Sequence, residues 1–105
     1  MIMCILYRFY PYGILAILIA SAHAEPDVEY GQYLSSVCVT CHQPNSANST
    51  IPNIEGLEAS TLVQILKLYR SQQLPNEAMQ TVTKRLTNEE LEALGAYFSS
   101  RPSPE

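Results

Sequence analysis

The chain has few basic residues, and they form no cluster. Among its 105 residues, six are Lys or Arg and ten are Asp or Glu, so the formal net charge is −4 at pH 7. Proteins that bind nucleic acid usually concentrate Lys and Arg in a patch or stripe that neutralises phosphates. The charge pattern therefore argues against nucleic acid as a partner.

Long apolar runs are also missing. The main apolar run, residues 14–20, is preceded by Pro11 and Gly13, which interrupt the apolar region. The uninterrupted part is well short of the roughly 20 residues that a transmembrane helix needs. We therefore expect no membrane span in the mature protein.

This short apolar run has the flanks of a secretory signal peptide. Arg8 precedes it, and Ala22-His23-Ala24 after it matches the A-x-A cleavage pattern. Residues 1–24 are therefore predicted to be a cleaved leader, with an uncleaved anchor as the alternative. Residues 25–105 are predicted to form a single exported domain, which is periplasmic if the source is bacterial.

Histidine, cysteine and methionine are scarce once this leader is removed. The leader holds one of the two His, one of the three Cys and two of the three Met residues. The remaining 81 residues contain only Cys38, Cys41, His42 and Met79 of these types. Any thiolate, imidazole or thioether ligand in the mature chain has to come from these four residues.

Sequence patterns for β-strands are absent too. No run of alternating apolar and polar residues is long enough for a strand, so the domain is predicted to be all-α. Apolar residues at helical spacing predict a first helix through residues 30–37 and a second through residues 62–69, with Ser60 as the N-cap of the second. A last helix begins at a capping box, residues 87–90, and continues to Phe98.

Two further expectations concern the connections and crossings of these helices. Leu74-Pro75-Asn76 is expected to end the second helix and to place Met79 in the connection that follows. Gly31 and Gly95 lie inside helical patterns, where each costs about 1 kcal/mol relative to Ala. A close crossing of the first and last helices, with Tyr97 beside it, would explain them; tolerated surface positions are the alternative.

Cys38, Cys41 and His42 form a C-x-x-C-H motif, the attachment signature of a c-type haem. Thiols three residues apart lie on one side of a helical turn, so both can bond to one edge of a porphyrin. The next residue can offer its imidazole to the iron. We predict one haem, bound covalently through Cys38 and Cys41, with His42 as an iron ligand. Because a domain of this length has a marginal core, the haem-free chain is expected to be largely unstructured.

Two other uses of a C-x-x-C pair stay open. A disulfide oxidoreductase motif normally lies at the junction of a strand and a helix in a βαβ unit, and no such unit is visible in the pattern. A zinc site needs a fourth protein ligand and usually a second Cys or His pair, which the mature chain lacks. Both are less favoured than haem.

Met79 is the candidate for the second axial ligand of the iron. It is the only Met after the leader, and no second His is available there. A lone Met is more often a core residue than a ligand, so a five-coordinate iron that senses a gas or acts as a weak peroxidase is the alternative. With His42 and Met79 both bound, no iron position is open to a substrate, and the predicted function is electron transfer rather than catalysis.

The chain from Tyr30 to Phe98 resembles the class I c-type cytochromes, small all-α electron carriers of the bacterial periplasm. The resemblance implies a fold of three to four helices wrapped around one covalently bound haem. It implies that Met79 is the distal iron ligand. It also implies that the Pro52 carbonyl accepts a hydrogen bond from His42.

More narrowly, residues 74–79, 86–91 and 96–98 look like parts of the cytochrome subunit of flavocytochrome c sulfide dehydrogenases. That resemblance implies a flavoprotein partner that oxidises sulfide and passes electrons to this chain, whereas a free carrier would use transient redox partner proteins. After the leader, ten acidic residues stand against five basic ones. A transient partner is therefore expected to present a basic surface.

Overall fold

The computed structural model describes residues 24–44 and 50–103, and all regular structure within them is helical. The helices are α1 (Val28–Leu34), α2 (Ser36–Val39), α3 (Ala59–Arg70), α4 (Glu77–Thr83) and α5 (Asn88–Ser100). The predicted all-α class is confirmed over this part of the chain. The predicted leader, residues 1–24, lies outside the described residues except for Ala24. Among the helices described, none is long and apolar enough to cross a membrane.

Ser35 divides the predicted first helix into α1 and α2. Asp27 caps the start of α1, where its side chain accepts hydrogen bonds from two backbone N–H groups of the first turn. At the other end, the Ser35 hydroxyl donates to the carbonyl oxygen of Gln32 at 2.6 Å. A hydroxyl that binds a nearby carbonyl competes with helical hydrogen bonds and often bends the helix. The division is one reason why the described residues form five helices where three to four were expected.

The N-cap of α3 is Glu58, and the prediction of Ser60 for this role is wrong. The Glu58 carboxylate accepts hydrogen bonds from the backbone N–H groups of Ser60 and Thr61 at 3.0 and 2.9 Å. It also accepts from their hydroxyls at 2.6 and 2.8 Å. A carboxylate has enough lone pairs for all four donors, and Ser60 lies inside the first turn as one of them. The hydrogen bonds from Ser60, followed by those from Thr61, lower the pKa of Glu58 from 4.5 to about 2.

The Glu58 carboxylate at the start of α3 should make the stability of the fold depend on pH. A group whose pKa falls on folding stabilises the fold above its ordinary pKa, here 4.5, and loses that effect as the pH falls through the folded value of about 2. Glu58→Gln should therefore lower the Tm at about pH 6, and the deficit should shrink towards zero as the pH approaches 2. Glu92→Gln makes the same charge change on an exposed part of α5 and serves as the control. A Tm deficit of Glu58→Gln that stays constant from about pH 6 to pH 2 would contradict the role of the Glu58 carboxylate as the N-cap.

The core lies between α3 and α5, and α5 also packs against α1. Five buried side chains form the core cluster: Leu62, Leu66, Leu91, Leu94 and Phe98. The first two come from α3 and the other three from α5. Half-buried side chains from α1, α2, α4 and the connections pack around this cluster. Because α5 touches both neighbours, it is the helix on which the domain is assembled.

The capping box predicted for the last helix is present at the start of α5. The Thr87 hydroxyl accepts from the Glu90 backbone N–H at 3.1 Å, and the Glu90 carboxylate accepts from the Thr87 N–H at 2.7 Å. Tyr30 of α1 donates its hydroxyl to the same carboxylate at 3.1 Å. These hydrogen bonds, that from the Thr87 backbone foremost, lower the pKa of Glu90. The start of α5 is thus tied to α1.

The two helical glycines lie at different helix contacts. A Cβ added to Gly31 of α1 would collide with the carbonyl of Ala93 and come within 2.8 Å of the Tyr97 Cβ, so the crossing of the first and last helices at Gly31 is confirmed. Gly95 faces α3 instead, where an added Cβ would lie 2.8 Å from a methyl carbon of Val63. The expectation that Gly95 also serves the α1 crossing is therefore wrong.

The crossing at Gly31 predicts the sign of a stability change. Gly31→Ala would gain about 1 kcal/mol of helix propensity if the site were open. Here the new methyl meets a backbone carbonyl of α5, which moves only with its helix, and overpacking of this kind costs roughly 1–3 kcal/mol or more. We expect a net loss of about 1–2 kcal/mol in urea unfolding, whereas Gln32→Ala at the exposed next position should stay within about 0.5 kcal/mol. A stabilised Gly31→Ala variant would rule out the close crossing.

Candidate functional site

The C-x-x-C-H motif forms one helical turn at the end of α2. The carbonyl oxygen of Cys38 accepts hydrogen bonds from the backbone N–H groups of Cys41 at 3.2 Å and His42 at 2.8 Å. Thr40 between them has helical backbone angles, and its hydroxyl donates to the Ser36 carbonyl oxygen at 3.0 Å. The turn therefore keeps both thiols and the imidazole within a single short, hydrogen-bonded stretch of backbone.

The two cysteines differ in their surroundings. Cys38 is half-buried and packs against the core cluster, whereas Cys41 is exposed. Burial raises the pKa of the Cys38 thiol, and the neighbouring Cys41 adds to the rise. A thiol that attacks disulfides works as a thiolate and usually has a lowered pKa. The half-buried Cys38 thiol is therefore poorly suited to attack a disulfide.

The imidazole of His42 is held by a backbone carbonyl. Its Nδ1 lies 2.7 Å from the carbonyl oxygen of Pro52. A carbonyl oxygen can only accept, so Nδ1 carries the proton and donates it. The other ring nitrogen, Nε2, then keeps its lone pair for a metal ion. The contact that the family resemblance implied between these two residues is present in the structure.

Asn53 shapes the loop that contains Pro52. Its side-chain Nδ2 donates to the Pro44 carbonyl oxygen at 3.0 Å, and its Oδ1 accepts from the Glu55 backbone N–H at 2.9 Å. The first bond links the loop to the chain that follows His42. The sequence contained a signal for this role, because an Asn side chain commonly bonds the backbone two residues further along its own turn.

Met79 lies in α4, so the expectation that it falls in a connection is wrong. Asn76 caps this helix, and its side-chain oxygen accepts from the Met79 N–H at 3.0 Å. The fully buried Thr83 donates its hydroxyl to the Met79 carbonyl oxygen at 2.8 Å. The Met79 side chain is half-buried and packs against the core cluster. The sequence contained the signal, because an Asn followed by an acidic residue is typical of a helix start.

A cleft of about 270 Å³ lies beside Cys38, between α1–α2 on one side and α4–α5 on the other. Its lining is mostly apolar: Tyr33, Leu34, Ser36, Val37, Cys38, Val82, Leu86 and Leu94. The volume is just below the roughly 300–1,000 Å³ of enclosed small-molecule pockets. The cleft can therefore shelter part of an apolar group that is larger than itself.

The apolar stripe that predicted the first helix is only partly covered by protein. Leu34 is half-buried and packs against the core cluster. Tyr33 and Val37, which line the cleft, are 74% and 60% exposed. Apolar area left in water beside a cleft is typical of a surface that binds something.

Among the predicted site residues, His42 and Pro52 are in direct contact through their hydrogen bond. Cys38 and Met79 each pack against the core cluster. Within the described residues, the lining of the cleft includes Cys38 but neither His42 nor Met79, and no three His, Cys, Asp or Glu side chains converge as a metal-binding group. A haem iron takes only its axial ligands from the protein, so haem does not need such a group. Comparison with protein-family models and with curated proteins finds no match for this chain.

Proposed function

We propose that the chain is an exported electron-transfer protein that carries one covalently bound c-type haem. The observation that carries the proposal is the turn from Cys38 to His42, in which two thiols precede an imidazole whose Nδ1–H is held by Pro52. That hydrogen bond leaves Nε2 as the donor to a metal. Two thiols and an imidazole in this order are typical of c-type haem attachment.

The residues around the motif fit a haem. Cys38 forms part of the wall of an apolar cleft, so a porphyrin bonded to it would have apolar protein surface to cover. The exposed faces of Tyr33 and Val37 would lose contact with water in the same step. Because the cleft is small, part of such a group would stay exposed, and electrons could leave through that part.

Each site residue has a distinct task in this proposal. Cys38 and Cys41 would hold the porphyrin covalently, and His42 would bind the iron through Nε2. A bound haem supplies a reversible one-electron couple between ferrous and ferric iron. The Pro52 carbonyl fixes the plane of the imidazole and raises its basicity as a ligand. The apolar lining of the cleft excludes water and lowers the local dielectric constant, which tunes the reduction potential.

Met79 is proposed as the second iron ligand by elimination, since it is the only Met and no second His exists after the expected leader. Its half-buried position on the core cluster also suits a residue that only fills space. A change from Met to Leu keeps the volume and removes the sulfur, so it separates these two roles. With the thioether bound, the protein would offer no iron position to a gas or peroxide.

The proposed setting is the periplasm, with a redox protein as partner, in the manner of class I c-type cytochromes. A more specialised form is the haem subunit of a flavocytochrome c sulfide dehydrogenase, which would receive electrons from a flavoprotein. In either form the chain is an electron carrier, and any catalytic step takes place on the partner. Its excess of acidic residues favours a partner surface rich in Lys and Arg.

A redox titration of the protein purified from the exported fraction tests the proposal. We expect haem absorption that changes reversibly, with one electron per chain, and no carbon monoxide binding by the reduced protein at neutral pH. A purified chain without haem absorption would contradict the proposal. Carbon monoxide binding by the reduced protein would instead favour the gas sensor or peroxidase and exclude the carrier with two protein ligands.

A further inference from the structure

The loop that supplies the acceptor for the imidazole, residues 52–57, is joined to the end of α5 and to the tail that follows. The Gly56 backbone N–H donates to the Phe98 carbonyl oxygen at 2.9 Å. Arg101, the first residue after α5, places its Nε 3.8 Å from Oε1 of Glu55. Two adjacent residues of the loop are therefore held by the C-terminal part of the chain.

The loop and the tail come into close contact at Gly56. Its φ of +76° lies in the left-handed region that favours glycine. A Cβ added there would lie 2.6 Å from the Cα of Ser103, and the Ser103 hydroxyl donates to the Gly56 carbonyl oxygen at 3.5 Å. The Arg101 guanidinium lies 5.9 Å from the centre of the Tyr97 ring, which helps to fix the tail. The tail therefore passes directly over the loop.

This contact matters because the hydrogen bond between His42 and Pro52 is open to water. Pro52 is exposed and His42 only half-buried, so water competes for both groups. Such a bond persists when its two partners are held in place by the surrounding structure. Asn53 secures one side of the loop through Pro44, and the tail secures the other.

We propose that Arg101 and Ser103 are positioning residues that hold the 52–57 loop against α5 and so keep the Pro52 carbonyl at His42. Neither residue touches His42; both act through the loop. The effect on the hydrogen bond follows from the contacts above, whereas the effect on reduction potential rests on the proposed function. A looser hydrogen bond makes the imidazole a less basic ligand, which favours ferrous over ferric iron and raises the potential.

The test compares the haem-loaded full chain with Arg101→Gln and with a chain that ends at Ser100. Solvent exchange of the His42 Nδ1 proton, followed by NMR, reports opening of the hydrogen bond. We expect roughly two- to fivefold faster exchange in Arg101→Gln, the range for loss of an exposed ion pair, and a larger change in the shortened chain. The reduction potential should rise in both variants. Arg101→Lys should bring the exchange rate and the reduction potential back towards those of the original chain.

Arg85→Gln is the matched control, because it removes the same charge from an exposed position between α4 and α5. It should change neither exchange nor potential. The positioning role would be overturned if the tail variants carry haem and show the same proton-exchange rate and reduction potential as the original chain. That result would leave the proposed function intact. If the shortened chain does not fold, Arg101→Gln decides the question. Failure of the proposed function would look different, because the original chain would then carry no haem. In that case the exchange rate of the His42 Nδ1 proton would be compared between the purified original chain and its variants.

Discussion

Replacing both Cys38 and Cys41 with Ala is expected to leave the mature chain largely unfolded. The described residues bury one small core cluster, and a domain of about 80 residues is near the size at which chains need a cofactor or cross-link. Without haem, the apolar surfaces of Tyr33 and Val37 remain in water. A group that binds only the folded state also takes its whole binding free energy with it when it is lost. Far-ultraviolet circular dichroism should show little helix and no cooperative thermal transition.

The size of the stability loss in the double Cys variant distinguishes loss of haem from the cost of the two substitutions themselves. Cys38 is half-buried and Cys41 exposed, so removing the two sulfurs should by itself cost about 1–2 kcal/mol. Thr40→Ala is the control on the same turn; it deletes one hydroxyl and one exposed methyl group and should cost about 1 kcal/mol or less. A double Cys variant that still unfolds cooperatively, within about 2 kcal/mol of the original chain, would show that haem does not complete the core.

Replacing Met79 with Leu should let carbon monoxide bind the reduced protein and should lower the reduction potential. Leu has nearly the volume of Met, so packing against the core cluster should change by less than about 1.5 kcal/mol. Leu has no sulfur, so the iron loses the ligand that raises its potential. We expect a fall on the order of 100 mV, within the roughly 0.8 V over which axial ligands act. Spectroelectrochemistry and carbon monoxide difference spectra measure both effects.

The opposite result would identify Met79 as a core residue only. In that case Met79→Leu would leave the potential and the response to carbon monoxide unchanged. Leu66→Met is the control, because Leu66 belongs to the core cluster but does not line the cleft. It adds a thioether at another point of the same cluster and should alter neither measurement.

The elements that the sequence predicted well depend on neighbours in the chain. The capping box at Thr87 and Glu90 requires only residues three apart, and it is present at the start of α5. The turn from Cys38 to His42 is equally local, so the geometry of the motif could be anticipated from its spacing. The pattern at Gly31 predicted a close crossing, because a glycine inside a helix needs a reason and the crossing supplies it.

The elements that the sequence did not predict depend on contacts between distant segments or on competing signals. Asn76 can end one helix or begin the next, and only the structure shows that it begins α4 and places Met79 there. A glycine within a helix, such as Gly95, indicates a close contact but not which helix it contacts. The structure shows that this helix is α3. The contact of the tail with Gly56 joins residues 47 positions apart, which no local pattern reveals.

The mass of the mature protein, measured after denaturation, tests the central claim most directly. A haem bonded through Cys38 and Cys41 stays attached when the fold is lost, whereas a haem held only by His42 does not. We predict a polypeptide that begins at Glu25 and is heavier than its sequence by one haem, and the bare polypeptide mass for the Cys38→Ala/Cys41→Ala variant. The bare mass for the unaltered exported protein would contradict the account.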